Sequence, residues 1–299
     1  MRLWTPHRSE HGIAFPTRPS VSVVIPFIGD RATLERLATN LRRLRLGGDE
    51  LIVADNTDPG IAPDVLPSSV QVVRATAERS AYHARNAGAS AAGHDWILFV
   101  DADCRPAPEL LDAYFDPPPP AGCGALAGTV VGSPAQGALV ARYARARGFL
   151  NLAGGGEGPN WRIAVGGNVL VRRAAFDEVG GFAEGIRSGG DVDFSRRLQR
   201  AGWTIERRDA ARVEHLHRER LLPFLATIAR YAAGSRWLNH RYPGYSPRWP
   251  LTKQLALSAR DAILLSVRGQ REEAVFRALD GLGLVAHNVG YLTPNSLRG

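Results

Sequence analysis

The sequence predicts an α/β protein, a mostly parallel sheet with helices on both faces, followed by a helical C-terminal region. Three observations predict it. Short apolar strands alternate with amphipathic helices through the first third of the chain, those strands end in Pro or Asp, and from Leu221 onward only helical periodicity remains. Strand–helix alternation of this kind builds a parallel sheet covered on both faces, because each crossover lays a helix against it. Ligands of such sheets sit beyond the carboxyl ends of the strands.

Taken in order, residues 1–20 are polar and proline-containing and read as a tail. Val21 to Ile25 is a continuous β-branched run closed by Pro26, the pattern of a strand buried on both faces. Leu34, Leu37, Leu41 and Leu44 recur at helical spacing between Arg31 and Leu46, and Gly47-Gly48 is expected to end that helix. Residues 50–54 and 70–73 read as the second and third strands, the Ala-rich residues 80–92 as a helix, and Trp96–Val100 as the fourth strand. The strand ends therefore read Pro26-Phe27, Asp55-Asn56 and Asp101-Ala102-Asp103, so polar groups converge on one rim. Pro117–Pro120 is a stiff break that divides residues 21–116 from 121–218. Beyond it come an apolar stretch at 123–131, a helix near 135–150, a glycine cluster at 154–158 read as a mobile loop, a strand at 168–172, a helix at 191–201 and two strands near 203–207 and 211–215. Residues 219–299 are expected to be helical.

The chain has 299 residues, 44% of them apolar, enough to bury the core of one large domain or of a smaller one with an appendage. Its net charge of +8 suits phosphates and anionic lipid headgroups, and an Arg-rich surface without a partner is the alternative. No nucleic-acid partner is expected. The two cysteines, Cys104 and Cys123, form no CxxC pair, so the sequence supports neither a cysteine zinc site nor a disulfide framework and fits a reducing compartment. With neither a secretory apolar stretch near the start nor an uncharged run long enough to span a bilayer, the expectation is a cytoplasmic protein, soluble or peripheral on the inner face of the membrane.

Four groups of residues can carry chemistry. Asp101 and Asp103, two carboxylates at the end of a buried strand, can approach one hard cation and a diphosphate together; the alternative is a solvated turn. Asp55 at the same rim can accept hydrogen bonds from a ribose or base edge, although Asp-Asn-Thr-Asp-Pro-Gly is also ordinary turn chemistry. Asp191 and Asp193 sit in the first turn of a helix, where an acid favours the macrodipole or, alternatively, serves as a general base. His215 and His217 share one face if their segment is a strand, as metal ligands can.

Together these segments resemble family 2 glycosyltransferases, the inverting group with the GT-A fold, from about Val21 to Arg218. The resemblance rests on motifs in the family's order: VSVVIPFIGDR, ELIVADNTDPG, ARNAG followed by DWILFVDAD, GGNVLVRRAAFDEVGGF, GGDVDFSRRLQRAGW and VEHLHR. It implies that residues 21–218 form the catalytic domain, with a nucleotide-binding half at 21–116 and an acceptor-side half at 121–218. Pro26 and Phe27 would line the nucleotide pocket and Asp55 contact base or ribose. Arg85 and Asn86 would lie near the donor, and Asp101 would hold the ribose or sugar side. Asp103 would bind Mn2+ or Mg2+, with His215 as a further ligand and His217 behind it. Asp191 would be the base, and Asn168, Asp193 and Trp161 would belong to the acceptor side. The implied partners are a UDP-, GDP- or TDP-sugar donor and an unidentified acceptor. The sequence departs from the family at Gly190, where an acid usually precedes the base, and in the turn 56–60.

Two other functions compete. A sugar nucleotidyltransferase would carry a Gly-rich loop with Arg or Lys after the first strand, which Ile25-Pro26-Phe27-Ile28-Gly29 lacks. A non-catalytic binding module would not need Asp101, Asp103, Asp191 and both histidines. The C-terminal helices, with Arg interleaved among Leu and Ile, are expected to dock on the catalytic domain or a second copy, a homodimer. Contact with an anionic membrane is the alternative.

Overall fold

A computed structural model describes residues 18–150, 163–246 and 251–297. The first half follows the predicted alternation. β1 (Val21–Phe27), α1 (Arg31–Leu41), β2 (Glu50–Asp55), β3 (Val70–Arg74), α2 (Ala81–Ala91) and β4 (Trp96–Val100) come in sequence. Asp30 and Ser80 cap the two helices, each side chain accepting from backbone N–H groups of the first turn. Removing either cap would cost about 1 kcal/mol. The first helix stops at Leu41 rather than Leu46, the last of its leucines, Leu44, packing instead from a turn.

The second half comprises β5 (Cys104–Pro106), α3 (Leu110–Tyr114), β6 (Cys123–Gly132), α4 (Leu139–Ala146), β7 (Asn168–Arg172), α5 (Arg173–Glu178), α6 (Gly190–Arg200) and β8 (Thr204–His215). Eight strands form one sheet in the order β3-β2-β1-β4-β7-β6-β8-β5. The strands β3, β2, β1 and β4 are parallel, but β7 runs antiparallel to both β4 and β6, and β5 antiparallel to β8. The second half of the sheet is thus mixed, beside a first half that is parallel throughout. The reversal brings the start of β7 to the rim, since Asn168 pairs with Val100 at the end of β4. The end of β8 arrives there too, His215 pairing with Cys104. The two strands expected at 203–207 and 211–215 are one, β8. A register shift between Gly128 and Thr129 moves the partner from Arg208 to Arg212 and so absorbs residues 209–211 between the two expected strands.

Alternate side chains of the strands feed two cores, as the two-residue period of a strand requires. Val21, Val23 and Ile25 pack with Leu34, Leu37 and Leu41 on one face. On the other, Val24, Ile97 and Phe99 meet Phe176, Phe182 and Phe194, with Phe182 and Phe194 rings 4.6 Å apart.

The C-terminal region is helical as expected: α7 (Leu221–Arg241), α8 (Leu251–Val267) and α9 (Arg271–Tyr291). Phe224 and Ile228 of α7 and Phe276 and Leu279 of α9 close a third core with Val140, Tyr143 and Ala144 of α4. Arg147 adds ion pairs to Glu273 at 2.8 Å and Asp280 at 3.0 Å. These two helices therefore dock on the α/β body. Among the described residues, no helix is long and apolar enough to cross a membrane.

Candidate active site

The rim is organised by a buried arginine. Arg85 lies on α2, 4% exposed, its guanidinium 5.6 Å from the ring centres of both Tyr82 and Phe182. Its Nη2 donates to Asp101 Oδ1 at 2.5 Å, and its Nη1 stands 3.9 Å from Asp191 Oδ1. Burial opposes charge on Arg85, but the carboxylates of Asp101 and Asp191 outweigh it and hold the guanidinium firmly protonated. Asp191 opens α6. Its carboxyl is raised above the ordinary aspartate range by burial, with Arg85 pulling it down and Asp101 pushing it up.

Two glycines make room for this cluster. A Cβ on Gly166 would stand 2.8 Å from Arg85 Cζ and 2.9 Å from Asp191 Oδ1, and one on Gly167 would stand 3.0 Å from Asp101 Oδ2. The GGN segment thus has a steric reason: the backbone before β7 passes directly against the charged groups. Gly190 is likewise filled from outside. A Cβ there would meet the Tyr82 ring at 2.6 Å, while the Tyr82 hydroxyl accepts from Gly190 N–H at 3.0 Å. The phenol occupies the space in which the usual acidic side chain would begin.

Asp103 forms the second centre. Its Oδ2 lies 3.4 Å from His215 Nε2, and its side chain keeps substantial contact with solvent. Burial opposes charge on Asp103, but the hydrogen bond and charge of His215 outweigh it and lower the carboxyl. Burial also opposes charge on His215, and Asp103 reverses that and raises the imidazole. His217 is placed differently. It lies beyond the end of β8, its backbone N–H bonded to Gln136 and its Nε2 buried without a hydrogen-bond partner, in the space a Cβ on Gly132 would take. Burial, then His215 and Arg145, depress its imidazole to about 4. Among the described residues no group of three or more His, Cys, Asp and Glu side chains is placed to hold a metal. Of the three expected ligands, Asp103 and His215 stand together, while His217 lies in the Gly132 gap after the strand ends.

Most of the other expected residues have protein partners in this structure. Asp55 is 1% exposed, and protein groups occupy both its oxygens: Thr57 N–H at 2.9 Å on Oδ1, with Ile61 N–H at 3.1 Å and Arg74 on Oδ2. It shapes the 56–61 turn rather than presenting a free carboxylate. Phe27 has its ring in the core, leaving Pro26, partly exposed, to face the rim. Asn86 accepts from Phe182 N–H and donates to Phe182 O and Glu184, which ties the 182–184 segment to α2. Asn168 accepts from the Tyr114 hydroxyl at 2.7 Å and donates to Thr129 O and Ala211 O inside the sheet. Asp193 is 0% exposed and bonded to Arg197, Arg241 and Tyr242, so it anchors α7 to α6. Trp161 and the 154–158 glycine cluster lie outside the described residues.

Two residues missed in the sequence border the site. Tyr82 stands one helical turn before Arg85, a spacing that marks a shared face. Tyr231 on α7 is half-buried, and desolvation chiefly raises its phenol, with Asp101, Asp191 and Asp103 adding to the effect. No local sequence signal ties Tyr231 to carboxylates so far away in the chain.

An open sheet carrying this carboxylate-rich rim defines the GT-A class of glycosyltransferase fold. The chain belongs to glycosyl transferase family 2, whose family model matches residues 22–180, more than half of its length. A second model, glycosyl transferase family group 2, matches residues 141–276. The pre-mycofactocin glycosyltransferase of Mycobacterium tuberculosis is 30% identical over 241 residues, covering 76% of this chain and 49% of that protein. The chain thus spans about half the length of that curated relative. Glycosyltransferase AglE of Haloferax volcanii is 24% identical over 198 residues, covering 63% of this chain and 64% of that protein. Among solved structures, the mannosyltransferase PcManGT from Pyrobaculum calidifontis, in complex with GDP-Man and Mn2+, superposes with a TM-score of 0.63 at 18% identity. That match covers 92% of this chain and 87% of the other. GalNAc-T7, with UDP, GalNAc and Mn2+, gives a TM-score of 0.52 at 15% identity, covering 78% of this chain and 53% of the other.

Proposed function

We propose that this protein transfers a sugar from a nucleoside-diphosphate sugar to an acceptor hydroxyl or other nucleophile, with inversion at the anomeric carbon. The observation that carries the reading is the Asp101–Arg85–Asp191 cluster on the rim, with Asp103 and His215 beside it. Asp191 is the general base. Burial raises its carboxyl toward the range in which a base both takes and releases a proton. It accepts the proton of the acceptor as the nucleophile attacks the anomeric carbon. The bond to the diphosphate oxygen breaks, and the configuration inverts because attack comes from the opposite face. Arg85 holds Asp101 in place and offsets the burial of charge on Asp191.

The donor set suits a divalent ion shared with substrate. Asp103 and His215 supply one oxygen and one nitrogen, and Mg2+ or Mn2+ commonly completes its shell from diphosphate and water. Such an ion, when bound, offsets charge on the leaving diphosphate. The Mn2+ in the complexes of PcManGT and GalNAc-T7 supports this assignment. Residues 21–218 are the catalytic unit in this reading and 219–299 its helical appendage, and the two free cysteines, Cys104 and Cys123, fit a cytoplasmic setting.

A thermal-shift screen of UDP, GDP, TDP and CDP, with and without Mn2+, tests the reading. One nucleotide should raise Tm only with the ion, by an amount equivalent to about 3 kcal/mol at a hundredfold excess over Kd. Absence of any Mn2+-dependent shift with all four nucleotides would overturn the donor and metal assignments.

A further inference from the structure

The helix α8 stands apart from the rest of the fold. It has no buried residue, and among the described residues its substantial packing is on α9 alone, Leu255 and Ser258 lying over the Gly281 position. The side away from α9 is apolar where a solvated helix would be polar. Ile263 is 64% exposed, Leu264 45% and Val267 82%. Isolated exposed apolar residues are ordinary, but three within five residues at the end of one helix form a patch. On α9, Val275, Leu282, Val285 and Val289 are also exposed and recur at spacings of seven, three and four, which places them on one side of that helix.

The charge around the patch has one sign. Residues 251–271 contain Lys253, Arg260, Arg268 and Arg271 against a single acid, Asp261, which pairs with Arg260 at 2.8 Å. The next acids, Glu272 and Glu273, are bound to Arg142 and Arg147 of the α/β body at 2.9 and 2.8 Å. Those ion pairs direct the negative charge at the start of α9 toward the body and leave the α8 end of the hairpin basic.

We propose that the α8–α9 hairpin is a docking surface for an anionic lipid bilayer. Ile263, Leu264 and Val267 enter the headgroup–acyl boundary, and Lys253, Arg260, Arg268 and Arg271 lie against lipid phosphates. The chemistry is that of an interfacial helix: an apolar strip too small to span a membrane, rimmed by cations that snorkel to the surface. A second copy of the chain fits less well, because two such surfaces would bring like charges together. The same α7 that carries Tyr231 to the catalytic carboxylates packs on α9, so docking would fix the catalytic rim relative to the membrane. The inference does not need the transferase reading, since binding is measured without turnover.

The test is co-flotation of the full-length protein with vesicles of phosphatidylcholine alone or with about a third phosphatidylglycerol, at low and high salt. Binding should require the anionic lipid and fall steeply as salt shortens the Debye length from about 10 Å at 0.1 M to about 3 Å at 1 M. Each basic residue near the surface adds about fivefold to the partition coefficient, so Arg260→Gln with Arg268→Gln should weaken binding about 25-fold. Ile263→Ser with Val267→Ser should abolish flotation while leaving Tm unchanged, since neither side chain is buried. Equal binding to neutral vesicles, no binding to anionic ones, or full binding by the Ser double variant would overturn the proposal. A concentration-dependent dimer that the same Ser substitutions dissolve would assign the face to a second copy instead.

Discussion

Replacing Arg85 by methionine isolates what the buried guanidinium does. The substitution keeps an unbranched stem between the Tyr82 and Phe182 rings and removes the charge that faces Asp101 at 2.5 Å and Asp191 at 3.9 Å. Breaking a fully buried ion pair from one side costs roughly 3–5 kcal/mol, because the remaining charge is left uncompensated. Here the acids keep some water, with side chains 34% and 24% exposed, which lowers the expected loss. We expect about 2–3 kcal/mol at neutral pH, or roughly 3–5 °C in Tm for a chain of this size. The pH dependence has a definite sign. The Asp191 carboxyl already lies above its unfolded value through burial, and losing Arg85 raises it further. A carboxyl raised by folding destabilises the native state above its folded pKa, and that penalty vanishes below the unfolded pKa. The Tm gap between wild type and Arg85→Met should therefore be widest near pH 8 and shrink as pH falls toward about 4. Differential scanning fluorimetry at stepped pH measures it. A gap constant with pH, or below about 0.5 kcal/mol, would show that the guanidinium does not compensate the carboxylates.

Asp191→Asn should lower kcat by about 10²–10⁴ with donor KM nearly unchanged, the signature of a lost general base in steady-state kinetics. In the wild type, activity should rise with pH as Asp191 loses its proton, and burial should set the acidic limb of kcat/KM above the ordinary aspartate range; a limb at the ordinary value would remove Asp191 from the role. Asp103→Ala should leave the melting curve of the free protein close to wild type while abolishing the Mn2+-dependent shift with nucleotide, read by calorimetric titration. Gly190→Glu, which restores the usual acid, should destabilise the protein by about 1–3 kcal/mol through the Tyr82 clash, and a Tyr82→Ala background should relieve part of that loss in a double-mutant cycle.

The sequence by itself determined the elements and most of their chemistry. A β-branched run such as Val21–Ile25 can bury both faces only within a sheet, and the leucine spacing of α1 can bury only one stripe of a helix. Periodicity of this kind is a local property, so it is legible without the fold. The strand ends at Asp55 and Asp101 were legible for the same reason, as was the helix start at Asp191. Tertiary structure alone decided which polar groups face the rim and which are consumed inside. Asp55 and Arg74 are register partners on adjacent strands, a pairing with no trace in local sequence. Asp193 and Asp191 lie two residues apart on one helix, so they face different directions, and only the arrival of Tyr242 and Arg241 of α7 shows which of them is buried. His217 looks equivalent to His215 until the strand ends between them. The antiparallel insertion of β7 was equally hidden, because its apolar run reads alike in either direction. That reversal carries Gly166 and Gly167 to the carboxylates, and the contact is long-range: it depends on which strands pair, which no segment of the chain specifies alone.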